Sequence, residues 1–255
     1  MTGPETAPAV LGDAAVQSQT LESVAAARNY HAWLTGLAQP WLGDHPVELG
    51  SGLGDYAATW LAGGLPRITV TEREPGRLAG LRERFAADPR VAVHDLDVLD
   101  PDLAEPTERY SSYVAFNVLE HIEDDVTALR AAHRLVAPGG HVVMFVPAFE
   151  FAMSRFDRRV GHVRRYTRAG LTQTFERAGL SVVQARYVNA PGLLAWVVMM
   201  RLLRATPGDG PLLQVYDRTV VPAARWLEER RPAPFGQSVF AVGRVGGGAG
   251  PGAGR

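Results

Sequence analysis

The segment Val47-Glu48-Leu49-Gly50-Ser51-Gly52-Leu53-Gly54-Asp55 constrains the fold of this chain more than any other. A short apolar run meets three glycines at alternate positions, and a helix-forming stretch, 55–62, follows. Glycines there let the backbone turn tightly after a strand and let a ligand approach without Cβ atoms in the way. Strand, glycine loop and helix in that order open a βαβ unit, which requires a parallel partner strand.

The chain downstream supplies those partners. Short apolar runs at 47–49, 67–71, 91–93, 113–116, 141–146 and 180–188 predict strands, and 238–242 a last one. Helices are predicted between them at 76–86, 124–136 (stopped by Pro138-Gly139-Gly140) and from a Thr167 cap to Ala178, with Gly179 as the stop. Ahead of them Val24, Ala27, His31, Leu34 and Ala38 fall at helical spacing, giving one helix that ends near Gln39-Pro40. Alternating strands and helices imply right-handed crossovers and an α/β fold, a Rossmann-like, mostly parallel sheet. In such sheets a ligand sits outside the carboxyl ends of the strands, near the switch point. A single domain is expected over 13–245, with a helical lid or insertion at about 189–235 and flexible ends at 1–12 and 246–255.

Composition removes several function classes. With no cysteine, disulfides, zinc–thiolate sites and thiol catalysis are excluded. A formal net charge of −1 offers no electrostatic case for nucleic acid. No secretion leader is read, and the apolar stretch 193–203 is too short for a membrane span and contains Arg201. A cytoplasmic location is expected.

Two acidic positions narrow the ligand. The sixth position of a dinucleotide fingerprint takes Gly or Ala, but here it is Asp55. A carboxylate there repels a pyrophosphate and tolerates a cationic sulfonium with its ammonium group, which disfavours a nicotinamide-dependent dehydrogenase. Glu72 ends the second strand, where a carboxylate accepts hydrogen bonds from ribose hydroxyls.

Glu48 through Gly54, Glu72, Asp97-Val98, Asn117-Val118-Leu119-Glu120-His121-Ile122 and Leu135-Val136-Ala137-Pro138-Gly139-Gly140 resemble, in order, the motifs of class I S-adenosylmethionine-dependent methyltransferases. The resemblance implies a strand order 3-2-1-4-5-7-6 with strand 7 antiparallel. It implies that Gly50, Gly52 and Gly54 line the methionine part of S-adenosylmethionine, with Glu48 in the same cofactor set. Glu72 would take the ribose, Asp97 and Val98 the adenine, and Asn117 the methionine end.

Methyl transfer is an in-line displacement at an already activated carbon, so a protein must mainly align the nucleophile and exclude water. Candidate acceptor-side residues follow strands 4 and 5. His121 is the nearest titratable base, beside Glu120, while Asp124 and Asp125 cap the next helix. In the run 155–166, His162 and Tyr166 are further catalytic candidates, and Arg164 and Arg165 have the forks to grip a phosphate or carboxylate. Tyr30 on the first helix is expected to close the pocket, and 193–200 to form a lid or dimer face. His94, His133 and His141 are read as ordinary, and no metal-ligand set is recognised.

The expected activity is methyl transfer to a nitrogen or oxygen of a small molecule. The acceptor is read as an amino sugar or sugar nucleotide, on a resemblance to amino-sugar N-methyltransferases of aminoglycoside pathways. Alternatives are an O-methyltransferase of a quinone or lipid-type precursor, a dehydrogenase, or a cofactor-binding protein without catalysis. Monomer and homodimer both remain open.

Overall fold

The computed structural model describes residues 12–202 and 211–246. Most of both expected flexible ends, 1–11 and 247–255, lies outside the described residues. The described chain begins packed against Arg159 and Val160: a Cβ on Gly12 would meet the Val160 backbone, and the Asp13 N–H bonds to the Arg159 carbonyl at 3.0 Å.

The described chain runs α1 (Ala14–Ala26), α2 (Arg28–Ala38), β1 (Pro46–Leu49), α3 (Asp55–Ala62), β2 (Ile68–Thr71), α4 (Pro75–Arg84), β3 (Val91–His94) and β4 (Tyr110–Phe116). It continues through α5 (Asp125–Arg130), α6 (Ala132–Leu135), β5 (Val136–Pro147), α7 (Arg155–Arg159), α8 (Arg168–Arg177) and β6 (Ser181–Val188). Last come α9 (Ala190–Trp196), α10 (Pro211–Val215), α11 (Val221–Arg230) and β7 (Ser238–Arg244). Seven strands form one sheet in the order β3-β2-β1-β4-β5-β7-β6, with β7 antiparallel to both neighbours and the other pairs parallel. That is the strand order the motifs imply.

The residue pattern explains the layering. β1 and β2 are buried at every position, as expected of parallel strands covered on both faces, whereas β3 alternates at the edge. Along β4, Tyr113 and Ala115 face one core with Leu129, Leu135, Leu171 and Phe175 of α5, α6 and α8. Val114 and Phe116 face the other, with Trp33, Leu34, Trp60, Leu61, Leu81 and Val221 of α2, α3, α4 and α11. Period-two alternation sends neighbouring side chains to opposite faces and so builds two cores from one sheet.

Three elements differ from expectation, the first being the helix expected over 124–136, which is two, α5 and α6, parted at Ala131. The single N-terminal helix is two helices, broken at Ala27, whose φ of −82° and ψ of 76° leave the helical region. The Pro138-Gly139-Gly140 stop lies inside β5, which begins at Val136. Gly139 adopts a φ of 85°, its N–H bonds to the Val245 carbonyl at 2.9 Å, and the register to β4 shifts between Tyr110 and Ser112. A β-bulge absorbs the turn residues without ending the strand.

Candidate active site

A cavity of about 1100 Å³ opens at the carboxyl ends of β1, β2, β4 and β5. Its floor at one end is the glycine loop. The Ser51 N–H bonds to the Thr71 carbonyl at 2.7 Å, and the Thr71 hydroxyl bonds to the Glu48 carbonyl at 3.0 Å, so the loop is tied to the end of β2. Gly52 has a φ of 57°, and a Cβ there would lie 2.7 Å from Leu21 of α1. α1 therefore roofs the loop. Gly50 also lines the cavity, but Gly54 does not: it turns towards Phe85 and Leu81 at the start of α3.

Glu72 is buried with its carboxylate fixed. Oε2 accepts the Gly52 N–H at 3.1 Å, Oε1 accepts those of Arg73 and Glu74 at 2.9 Å each, and Arg77 stands 3.3 Å away as the counter-ion. Asp97, paired with Arg73, and buried Val98 continue this wall from the end of β3. Asn117 lies past the end of β4 with a φ of 54° and lines the cavity. Asp55 lines it too, but Arg84 sits 2.8 Å from its carboxylate and weakens its repulsion of a pyrophosphate.

Glu48 does not reach the cavity wall. It is buried behind the loop, Oε2 without a hydrogen-bond partner, and burial pushes its pKa up to about 8 against a smaller opposing effect of Ser51. Its expected cofactor contact is corrected to a structural position.

The acceptor-side candidates separate into two groups. His121 and His162 line the cavity, their rings edge to face with centroids 4.7 Å apart. Burial, with His162 adding to it, pushes the His121 pKa down to about 3, so His121 is a neutral imidazole and a weak base. Asp157, whose role the sequence reading missed, fixes His162: its Oδ1 lies 3.0 Å from His162 Nδ1. Burial alone would raise the Asp157 pKa, but His162, Arg165 and Ser154 outweigh it and hold it at about 2. Ser154 and Asp157 form a capping box at the start of α7, a pattern visible as Ser-x-x-Asp. Glu120 is fully buried beneath the two histidines, not on the cavity wall, and burial raises its pKa to about 7 against the pull of His162.

The arginine clamp is not assembled. Arg165 borders the cavity, but its guanidinium is spent on Asp157 (2.7 Å) and the Ala148 carbonyl (3.0 Å), and it packs on Trp196. Arg164 lies outside the cavity wall, bound to Asp125 at 2.7 Å. Tyr166 is buried in the core with its hydroxyl donating to Asp125 at 3.0 Å, so its expected catalytic role is corrected to structural support. Tyr30 does line the cavity. An apolar wall of Phe156, Trp196, Met199, Met200, Leu212 and Leu213 completes it. The sequence signalled only part of that wall, as an apolar lid segment.

Residues 47–142 match the family model described as a methyltransferase domain. That stretch carries a methyltransferase domain, on a sheet whose strand order is the one the class I motifs imply. Ribosomal RNA small subunit methyltransferase A of Synechococcus sp. (strain RCC307) is 37% identical over 73 residues, 28% of this chain and 27% of that protein, so the match spans about a quarter of the relative's length. Among solved structures, geranyl diphosphate C-methyltransferase from Streptomyces coelicolor A3(2), in complex with Mg2+, geranyl diphosphate and S-adenosyl-L-homocysteine, superposes with a TM-score of 0.58. That superposition has 12% identity and covers 84% of this chain and 77% of that one. The [4+2]-cyclase SpnF gives a TM-score of 0.56 at 17% identity, over 84% of this chain and 80% of that one. At these identities the likeness shows the fold and leaves the reaction to the site.

S-adenosylmethionine is the cofactor that the class I motifs imply. The residues fit it: a glycine cradle that a Cβ would fill, a fixed carboxylate at the end of β2, and a wall continuing to Val98 suit an extended adenosyl ligand.

Proposed function

We propose that this chain transfers a methyl group from S-adenosylmethionine to a nitrogen or oxygen of a small molecule with an apolar body. The observation that carries this reading is the continuity of the cavity. The glycine loop, Glu72 and Asp97 line the same cavity as the apolar side chains Phe156, Trp196, Met199, Met200, Leu212 and Leu213.

When bound, the cofactor supplies a methyl carbon activated by a cationic sulfur. The protein's part is to align a lone pair with that carbon and to keep water out. Gly50, Gly52 and Asn117 would hold the methionine end, Glu72 the ribose, and Asp97 with Val98 the adenine. Leu21 of α1 and the apolar wall would exclude water. His121 and His162 are the polar groups that meet the acceptor.

The wall favours a quinone or lipid-type acceptor over the amino sugar suggested by the arginine run. Arg164 and Arg165 are engaged within the protein, and the polar strip at the cavity edge is self-satisfied. There Asn189 donates to Gln237 at 2.9 Å and accepts from the Tyr216 hydroxyl at 2.7 Å. A nucleic-acid acceptor, the substrate class named for the ribosomal RNA relative, finds no support in a net charge of −1. Among the described residues no helix is long and apolar enough to cross a membrane, so a lipid-type acceptor would be taken from a bilayer surface or from solution.

The test begins with thermal melts in S-adenosylhomocysteine, S-adenosylmethionine and NADH. A ligand at 100 times its Kd adds about 2.7 kcal/mol to the folded state. A shift with the two adenosyl compounds alone is expected; a shift with NADH alone overturns the reading. Methyl transfer to a panel of phenols, quinols and amino sugars then identifies the acceptor, and transfer to amino sugars alone would reverse the preference stated here.

A further inference from the structure

Glu120 poses a physical problem that methyl transfer leaves unsolved. Its side chain is 0% exposed, and neither carboxylate oxygen reaches a hydrogen-bond donor on another of the described residues. A buried carboxylate without partners is so costly that an unpaired one signals a missing water, proton or ion.

Two imidazoles face it. His162 Nε2 lies 3.7 Å from Glu120 Oε1, too far for a hydrogen bond. That separation suits two ligands of a single ion: bonds of about 2.0–2.2 Å to a common centre put their donor atoms roughly 3–4 Å apart. His121 joins them, since one ligand atom from each of Glu120, His121 and His162 lies within 4.8 Å of the others. His121 Nδ1 is also buried without a partner.

The support behind the cluster has the form a metal site requires. A histidine ligand characteristically gives its second ring N–H to a carboxylate, which fixes the tautomer and leaves the other nitrogen free to coordinate. Asp157 Oδ1 does this at His162 Nδ1, at 3.0 Å, and is itself held by Arg165 at 2.7 Å, while Ser154 holds the other oxygen at 2.6 Å. His162 is thereby set with Nε2 towards Glu120. Both imidazoles also border the cavity, so an ion here would keep coordination positions open to the acceptor.

We infer that Glu120, His121 and His162 form a binding site for one divalent first-row transition-metal cation at the acceptor end of the cavity. Two imidazoles and one carboxylate suit zinc, iron(II) or manganese better than calcium or magnesium, which prefer an all-oxygen set. The ion's use, holding an acceptor oxygen beside Asn117, rests on the proposed methyl transfer; the site itself does not.

The full chain, stripped with a chelator and dialysed, is titrated with Zn2+ and separately with Mg2+ by calorimetry. Co2+ is added in parallel to read its visible absorption. One equivalent of Zn2+ with a Kd of about 10 µM or tighter, little Mg2+ binding, and a Co2+ band are expected. Glu120→Gln and His162→Gln should each weaken Zn2+ at least 100-fold and abolish the band. Their folding is checked by the melting shift with S-adenosylhomocysteine, which should persist. No stoichiometric Zn2+ uptake by the wild type, a preference for Mg2+, or uptake unchanged in either folded variant overturns the site. Loss of the S-adenosylhomocysteine shift in the wild type with Zn2+ uptake intact would instead fault the methyl-transfer reading.

Discussion

Asp217 caps the helix that begins beside Tyr30, although 187 residues separate the two in sequence: its Oδ1 accepts the Tyr30 N–H at 2.9 Å. Its Oδ2 accepts the Asn29 N–H at 3.1 Å, and the preceding Ala27 has no side chain able to do so. One carboxylate thus satisfies the exposed amides of α2 and fastens the segment before α11 over the cavity. Asp217→Ala should cost about 1–2 kcal/mol of stability, as an N-cap loss does, and Asp217→Asn less. Because the cap spans the cavity, S-adenosylhomocysteine should bind Asp217→Ala several-fold more weakly. Calorimetry and denaturant unfolding on both variants check this, and an unchanged Kd would mean that the cap does not govern the cavity.

Gly52 should be intolerant for a reason that can be separated from backbone strain. In Gly52→Ala a methyl group would sit 2.7 Å from Leu21, on top of a left-handed φ of 57°. Gly139→Ala carries the strain alone, since its φ is 85° and nothing lies within 4 Å of the new methyl. Both variants should lose about 1–2 kcal/mol. Only Gly52→Ala should weaken S-adenosylhomocysteine binding, by tenfold or more in calorimetry. Equal affinities would remove α1 from the account of the pocket.

Tyr166 supplies a test of structural against chemical roles. Tyr166→Phe removes the hydroxyl from Asp125, which Arg164 still holds at 2.7 Å. The expected cost is about 1 kcal/mol in unfolding, with kcat within twofold of wild type. A 100-fold fall in kcat without loss of stability would restore the catalytic role that the sequence suggested.

Glu48 should make stability depend on pH. Burial raises its folded pKa to about 8, above its unfolded value of 4.5. The folded state therefore holds a proton that the unfolded state releases, and the stability tied to that proton is complete below pH 4.5 and lost as pH rises towards 8. Glu48→Gln should remove this loss. Melting scans from pH 5 to 9 should show the variant gaining on the wild type as pH rises, by roughly 3–4 kcal/mol between pH 5 and pH 8. Parallel curves would mean that Glu48 is already ionised in the folded protein.

What the sequence made legible is what the backbone encodes locally. Gly50 and Gly52 of the glycine loop, Glu72 after the second strand and Asp97-Val98 after the third are set by strand ends a few residues away, and they line one cavity, while Gly54 turns away from it. The run 155–166 was not legible in the same way. A charged run shows that arginines are present but not which of them turn inward, and here Asp157, eight residues back, draws Arg165 into the protein. The break at Ala27 was equally hidden, because its cap is supplied by Asp217 from the far end of the chain. Glu48 misled because its place in the motif gives no sign that its carboxylate turns behind the loop.

The antiparallel β7 bears on how the molecule is made. It is the last of the seven strands to be synthesised, yet it lies between β5 and β6. Fifty residue numbers separate the end of β6 at Val188 from the start of β7 at Ser238. At a translation rate of about 5–20 residues per second, β6 waits roughly 3–10 s for its ladder partner. During that interval β5 also shows an open edge, with Val143, Phe145 and Val146 not yet paired with Val242, Phe240 and Val239. Unpaired apolar strand edges are templates for wrong association. The nascent chain is thus most open to wrong pairing between the completion of β6 and the arrival of β7.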